Sequence, residues 1–320
     1  FSKGKERELA RESLYRLRGQ EINAKILKSL AEASEDESNI KLELIRAVDN
    51  RRLLSATDVL LKTAGEPNRK VRTLSAKVLK NIADANDVPA LVDLLLNAKY
   101  ADERRELERT VATIAVKIPG DKKSNAVFNV LPNVELAETR ASLYTVLGKL
   151  GEEKSLPFLK NALTDEDPTI RRAVIGALSE WPDSAPKDEI FHIAETSTNE
   201  TEHILALRGY MRLIGLESDR PVSETNVLYE KAMALSANDD DRKLVLAGLA
   251  NVKTVEALNM VADYLNHKAI EEEAEAAIVK ITANINDQYP LESKKLLLKI
   301  IEKSNSDDLR KNAQNVLNII

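Results

Sequence analysis

The 320 residues carry 47 Lys and Arg against 52 Asp and Glu, a net charge of −5, with 43% hydrophobic residues, 4% aromatics and no cysteine. The lack of thiols excludes disulfides, iron–sulfur clusters and thiol catalysis, and it fits an oxidising compartment, leaning periplasmic or secreted. Scarce aromatics argue against base-stacking platforms and aromatic-lined sugar clefts.

In chain order, residues 3–18 predict a helix with Leu9, Leu14 and Leu17 apolar and no partner helix before it. Helix pairs then follow. Their second helices align on one buried position at Leu14, Ile45, Leu79, Ile114, Leu147, Leu178, Met211, Leu249, Ile278 and Leu317, with spacings of 31, 34, 35, 33, 31, 33, 38, 29 and 39. An apolar residue follows three positions later in nine of these ten units: Leu17, Val48, Ile82, Leu150, Trp181, Ile214, Val252, Ile281 and Ile320. Lys117 after Ile114 is the exception. Helical patterning inside such a period predicts an all-α, right-handed α-solenoid of about nine to ten helix pairs. The count expected is nine pairs plus the leading helix, as one domain over residues 1–320. Each unit packs only on its neighbours, so the core grows lengthwise and escapes the size limit of a single compact core.

Residues 153–183 show the unit most clearly. Leu156, Leu159 and Leu163 give the first helix (A) an apolar face. Thr164, Asp165, Glu166 and Asp167 supply capping oxygens, and Pro168 suits a first helical turn. The second helix (B) turns Ile170, Ala173, Val174, Ala177, Leu178 and Trp181 inward, and Pro182 stops it. Pro67, Pro89, Pro186 and Pro221 stand near other helix starts. The two long intervals place extra residues in loops Gly215–Asn226 and Thr282–Ser293, which are candidate binding elements or tolerated insertions. Both chain ends read as cut, residues 315–320 being apolar without a polar cap, so a fragment of a longer protein is expected.

The unit at 153–183 resembles a HEAT repeat of the short bacterial type. The resemblance rests on Leu156-Pro157, the acidic turn Asp165 and Asp167, and an arginine early in helix B, Arg171 or Arg172; Val71-Arg72 repeats the hydrophobic–arginine pair. It implies that the arginine bonds turn carboxylates and carbonyls in neighbouring repeats. The segments 205–215, 242–249 and 254–258 resemble the HEAT region of large secreted bacterial proteins that carry 3-keto-disaccharide hydrolase or haem-binding domains. That resemblance implies an accessory role, with no active residues in this chain.

No catalytic motif is present: no G-x-S-x-G, P-loop or G-x-G-x-x-G occurs. His192 and His203 fit no zinc-ligand spacing, and His192, between apolar residues, is expected to be partly buried. The acidic runs 239–241 and 271–273 open helices B, where carboxylates favour the positive helix end. They lack the alternation of a calcium loop and do not form a facing acid–base pair. No metal, cofactor or catalytic residue is expected. Gly148, Gly176, Gly209 and Gly248 lie inside successive B helices and predict close helix approach.

The resemblance to HEAT proteins implies that the B helices form the concave face. Residues just after the buried position, Tyr15, Arg16, Arg46, Lys80, Asn81, Lys149, Glu180, Arg212 and Asn251, are its candidate binding surface. Several are basic on an acidic protein, which suits an acidic protein partner or adjoining domain. Residues 67–120 hold ten Lys and Arg against seven Asp and Glu, and residues 183–285 ten against nineteen. The first stretch leaves a nucleic-acid-binding alternative, though an acidic chain makes it the weaker one. No run of apolar residues is long enough to span a membrane. The expected function is a non-catalytic binding scaffold.

Overall fold

The computed structural model describes residues 4–17 and 19–320. Among them every regular element is helical, with nineteen α-helices joined by turns and single 3₁₀ turns. The chain forms two compact units, residues 1–177 and 178–320.

The first unit opens with α1 (Lys5–Arg16). Four pairs follow: α2 (Gln20–Glu32) with α3 (Ser38–Arg51), α4 (Thr57–Thr63) with α5 (Arg69–Ile82), α6 (Val88–Leu96) with α7 (Ala101–Ala115), and α8 (Asn125–Val130) with α9 (Ala137–Leu150). It closes with α10 (Leu156–Ala162) and α11 (Pro168–Ser179), whose last two residues fall in the second unit. The second unit holds α12 (Lys187–Thr196) with α13 (Glu200–Ile214), α14 (Val222–Leu235) with α15 (Asp239–Leu249), α16 (Val255–Ala262) with α17 (Glu271–Ile285), and α18 (Pro290–Lys303) with α19 (Asp307–Leu317). Nine pairs and one leading helix are therefore present among the described residues.

Eight of the nine pairs pack A on B, and the B helices stack on one another, α3 on α5 on α7 on α9 in the first unit and α13 on α15 on α17 on α19 in the second. The buried row lies along this stack. Ile45, Leu79, Ile114 and Leu147 are fully buried in the first unit, as are Leu178, Leu249 and Ile278 in the second, with Met211 nearly so.

Local chemistry starts the helices where the sequence signals them. Asn68 accepts from the Lys70 and Val71 amides, Asn199 from Glu202, Asn238 from Asp241 and Thr254 from Ala257, filling the amides a helix start leaves open. Asp167 takes the Thr169 amide at 2.7 Å, and this hydrogen bond holds its carboxyl below the usual range. Pro168 and Pro290 are first residues, and Pro89 and Pro157 second residues, of their helices.

Several expectations need correction. Leu14 is only half-buried and Leu17 is 49% exposed, because α1 ends at Arg16 and Leu17 turns away in an extended conformation. In α19 the buried residues are Ala313 and Val316. Leu317 is half-buried, and Ile320, past the helix end, is exposed. The stretch 282–293 is mostly helix: α17 runs on to Ile285 and α18 starts at Pro290, so only four residues link them. In the stretch 215–226 only residues 215–221 are loop. The long intervals come largely from longer helices. His192 is exposed on the outer side of α12, since Ile190 and Ala194 take the buried positions around it.

Candidate functional site: the B-helix face

Helix starts put the repeats in register. The fourth residue of successive B helices from α3 to α19 is Lys41, Arg72, Arg104, Arg140, Arg171, His203, Arg242, Ala274 and Arg310. Four of these arginines reach back across their own A–B turn to the carbonyl six residues earlier. Arg72 Nη1 donates to Glu66 and Pro67 O (2.8 and 2.6 Å), Arg104 Nη1 to Ala98 O (3.3 Å), Arg171 Nη1 to Asp165 and Glu166 O (both 2.9 Å), and Arg310 Nη1 to Ser304 O. The structure thus selects Arg171 over Arg172 as the early arginine and assigns it to the turn carbonyls.

The same position also bonds forward to an acid of the next repeat. Lys41 meets Glu66 at 2.6 Å, Arg72 meets Glu103 at 2.5 Å and Arg140 meets Asp165 at 3.3 Å. His203 Nε2 lies 3.7 Å from Asp241, and its Nδ1 meets Ala194 O at 2.7 Å. This ladder is structural, because its members are buried or half-buried between repeats. Among the described residues no group of three or more His, Asp or Glu is placed to hold a metal ion.

Many of the candidate surface residues turn out to be tied into the same kind of ladder. Lys80 Nζ donates to Glu106 at 2.9 Å, and Asn81 Nδ2 to Asp49 at 2.9 Å. Arg212 Nη1 donates to the Ser179 and Trp181 carbonyls at 2.9 and 2.8 Å. Asn251 accepts from Lys280 Nζ at 2.7 Å. Tyr15 is half-buried, with its phenol pushed up by burial, and its carbonyl accepts from Arg51. Arg16 is exposed and pairs with Glu12 at 3.4 Å within α1. Lys149 and Glu180 are exposed at the ends of their helices. Burial pushes the Glu108 carboxyl on α7 up, against the pull of Ser142, Lys149, Arg104 and Arg105. Arg46 is 37% exposed and pairs with Glu43 at 2.8 Å.

The row that stays open lies elsewhere. The ninth residue of α3, α5 and α7 is Arg46, Lys77 and Arg109. Lys77 and Lys70 are exposed and form no ion pair among the described residues, and Arg109 is 64% exposed with only a 3.8 Å approach to Glu106. Alignment on buried residues hid this row, because it set Arg46 beside Lys80 one turn further along the next helix. The row lies at a constant distance from the helix starts.

Two buried carboxylates tie other repeats together with opposite pH signs. Burial pulls the Glu152 carboxyl upward, but the Ser124 hydroxyl and the Ser124 and Lys123 amides outweigh that and hold it below its ordinary 4.5. Its contribution is present above that value and is lost as pH falls through the lowered one. Burial pushes the Glu275 carboxyl up, opposed by the Ser304 hydroxyl at 2.5 Å and reinforced by Glu271 and Glu272. Its ionisation therefore weakens the fold as pH rises from 4.5 through the raised value. Glu152→Gln is expected to lower the melting temperature at pH 7 and flatten its fall in acid. Glu275→Gln is expected to leave it unchanged or raise it at pH 7. Melting curves across pH 3–7 check both.

Among the described residues no helix is long and apolar enough to cross a membrane. The family model for HEAT repeats matches residues 126–208, a stretch that contains the unit at 153–183. Solved structures similar to this chain include YibA of Escherichia coli, at 16% identity and a TM-score of 0.42 over 99% of this chain and 98% of that one. Human deoxyhypusine hydroxylase in complex with glycerol is similar at 13% identity and a TM-score of 0.36, over 85% and 98%. No curated protein matches the chain. The HEAT-repeat match covers residues 126–208, and helix pairs in the same order continue on both sides of it, so the chain is an all-α helical-repeat protein that contains HEAT repeats.

Proposed function

We propose that this protein is a non-catalytic interaction module that binds another protein through its B-helix face. The observation that carries this reading is the split among the polar residues of that face. One set is consumed by the bonds between repeats, whereas Lys70, Lys77 and Arg109 stand exposed on the B helices of the first unit and Arg208 on those of the second. Side chains on stacked helices project from an ordered backbone, so little backbone freedom has to be lost on binding.

Arg46, Lys80, Lys149 and Arg212 are thus unequal targets. Reversing Lys80 or Arg212 would break inter-repeat bonds, so lost binding in such variants would not separate contact from folding. Photo-cross-linking avoids that problem. A benzophenone amino acid at Lys77 or Arg208 on the B face is expected to capture a partner, and at Lys62 or Asn161 on exposed A-helix positions it is not. Capture from the A-helix positions alone would overturn the reading.

A further inference from the structure

The first unit carries 31 Lys and Arg against 27 Asp and Glu, a charge of +4, and the second 16 against 25, a charge of −9. Four cations of the first unit line one cleft. A cleft of about 450 Å³ opens on its B-helix face, lined by Leu42 and Arg46 of α3, by Arg69, Lys70, Thr73, Leu74 and Lys77 of α5, and by Asp102 of α7. Leu42 is buried and Leu74 half-buried, so the floor is apolar, and the cations stand around it. Arg109 continues the row on α7.

The cleft's electrostatics are sorted. Arg69 is held by Asp102 at 2.6 Å and stacks on the Tyr100 ring at 4.4 Å, and the guanidinium keeps the Asp102 carboxyl below its usual range. Arg46 is held by Glu43. Lys70 and Lys77 have no ion-pair partner among the described residues and face solvent. A ligand that fits must bring negative charge for these two lysines and an apolar group for the floor. A phosphate backbone supplies only the first. It would also meet the Glu43, Asp102 and Glu106 carboxylates that interleave the row, and the Tyr100 ring already stacks with the Arg69 guanidinium.

We propose that this cleft binds an extended acidic protein segment that places an apolar side chain between α3 and α5. The proposal rests on the reading of the B-helix face as a protein-binding surface and names its partner class. Successive B helices lie about 8–10 Å apart, close to the span of three extended residues at about 3.3 Å each. Every third residue of a strand laid across α3, α5 and α7 therefore meets a new helix.

The test uses the full chain and a fluorescein-labelled octapeptide of sequence EELEDLEE, followed by anisotropy. Saturable binding that weakens as salt rises from about 50 to about 200 mM is expected. The double variant Lys70→Glu/Lys77→Glu should weaken it about tenfold or more. The triple variant Lys294→Glu/Lys295→Glu/Lys303→Glu, at exposed positions of the second unit, should leave it within about twofold. A peptide with both leucines replaced by serine should bind several-fold more weakly. Unchanged melting temperatures keep the variants comparable.

No saturation by about 1 mM would overturn the proposal, as would equal losses in both sets of variants or indifference to the leucines. So would tighter, steeply salt-dependent binding of a single-stranded DNA 12-mer, which would assign the cleft to nucleic acid. Failure here with partner capture still mapping to Lys77 and Arg208 would leave the general reading standing. Capture from the A-helix positions alone would remove the reading itself.

Discussion

Replacing Glu66 with alanine is expected to destabilise the first unit by about 3 kcal/mol, the usual result of leaving a buried charge without its partner. Lys41 is only 3% exposed and its ammonium meets Glu66 at 2.6 Å. Without that carboxylate the cation must either stay dehydrated between α3 and the α4–α5 turn or force the repeats apart to reach water. Lys41→Met removes the charge and keeps an unbranched chain in the same space, so it is expected to be neutral or stabilising by about 1 kcal/mol. The double variant should recover most of the Glu66→Ala loss. Because repeat proteins need not unfold in one step, urea unfolding should be paired with hydrogen exchange over α3 to α5. Equal losses for Glu66→Ala and for the double variant would show that Glu66 acts through packing rather than through the buried charge.

Gly148→Ala and Gly176→Ala are expected to move stability in opposite directions, although both glycines lie inside B helices. A Cβ on Gly148 would stand 2.5–2.8 Å from the Cβ, Cα and O of Ala177, and backbone cannot yield as a flexible side chain does. The α9–α11 contact would have to open, at a cost of about 1–3 kcal/mol. A Cβ on Gly176 meets nothing within 4 Å. There alanine only removes the helix penalty of glycine and gains about 0.5–1 kcal/mol. Melting curves of the two single variants decide the matter, and a loss at both sites would mean that Gly176 is also pressed against a neighbour. A Cβ on Gly209 would overlap the Ser179 side chain, and one on Gly248 would stand 2.5 Å from Met211 Cε and 2.7 Å from the Tyr229 ring, so both also mark close approach, but against side chains rather than backbone. The four in-helix glycines expected to mark close approach thus include one that does not.

The sequence by itself determined the helix pairs and their number. These follow from local causes: apolar residues at helical spacing, Asn, Asp and Thr caps, and prolines in first turns. The HEAT unit at 153–183 was legible for the same reason, down to an arginine early in helix B. The candidate site was legible only as a set of basic residues on the B helices, without their partners. Tertiary structure decided which turn of each B helix meets which turn of the next. A buried face recurs every three or four residues, so an apolar landmark such as Ile45 or Ile114 can slip one turn and stay buried, and the polar residues beside it then change partners. For that reason Lys80, Asn81, Arg212 and Asn251 became inter-repeat bonds, while Lys70, Lys77 and Arg109 remained exposed. Nothing local distinguishes Lys41, buried against Glu66, from Lys77 in water. The difference lies in which carboxylate the neighbouring repeat brings within reach.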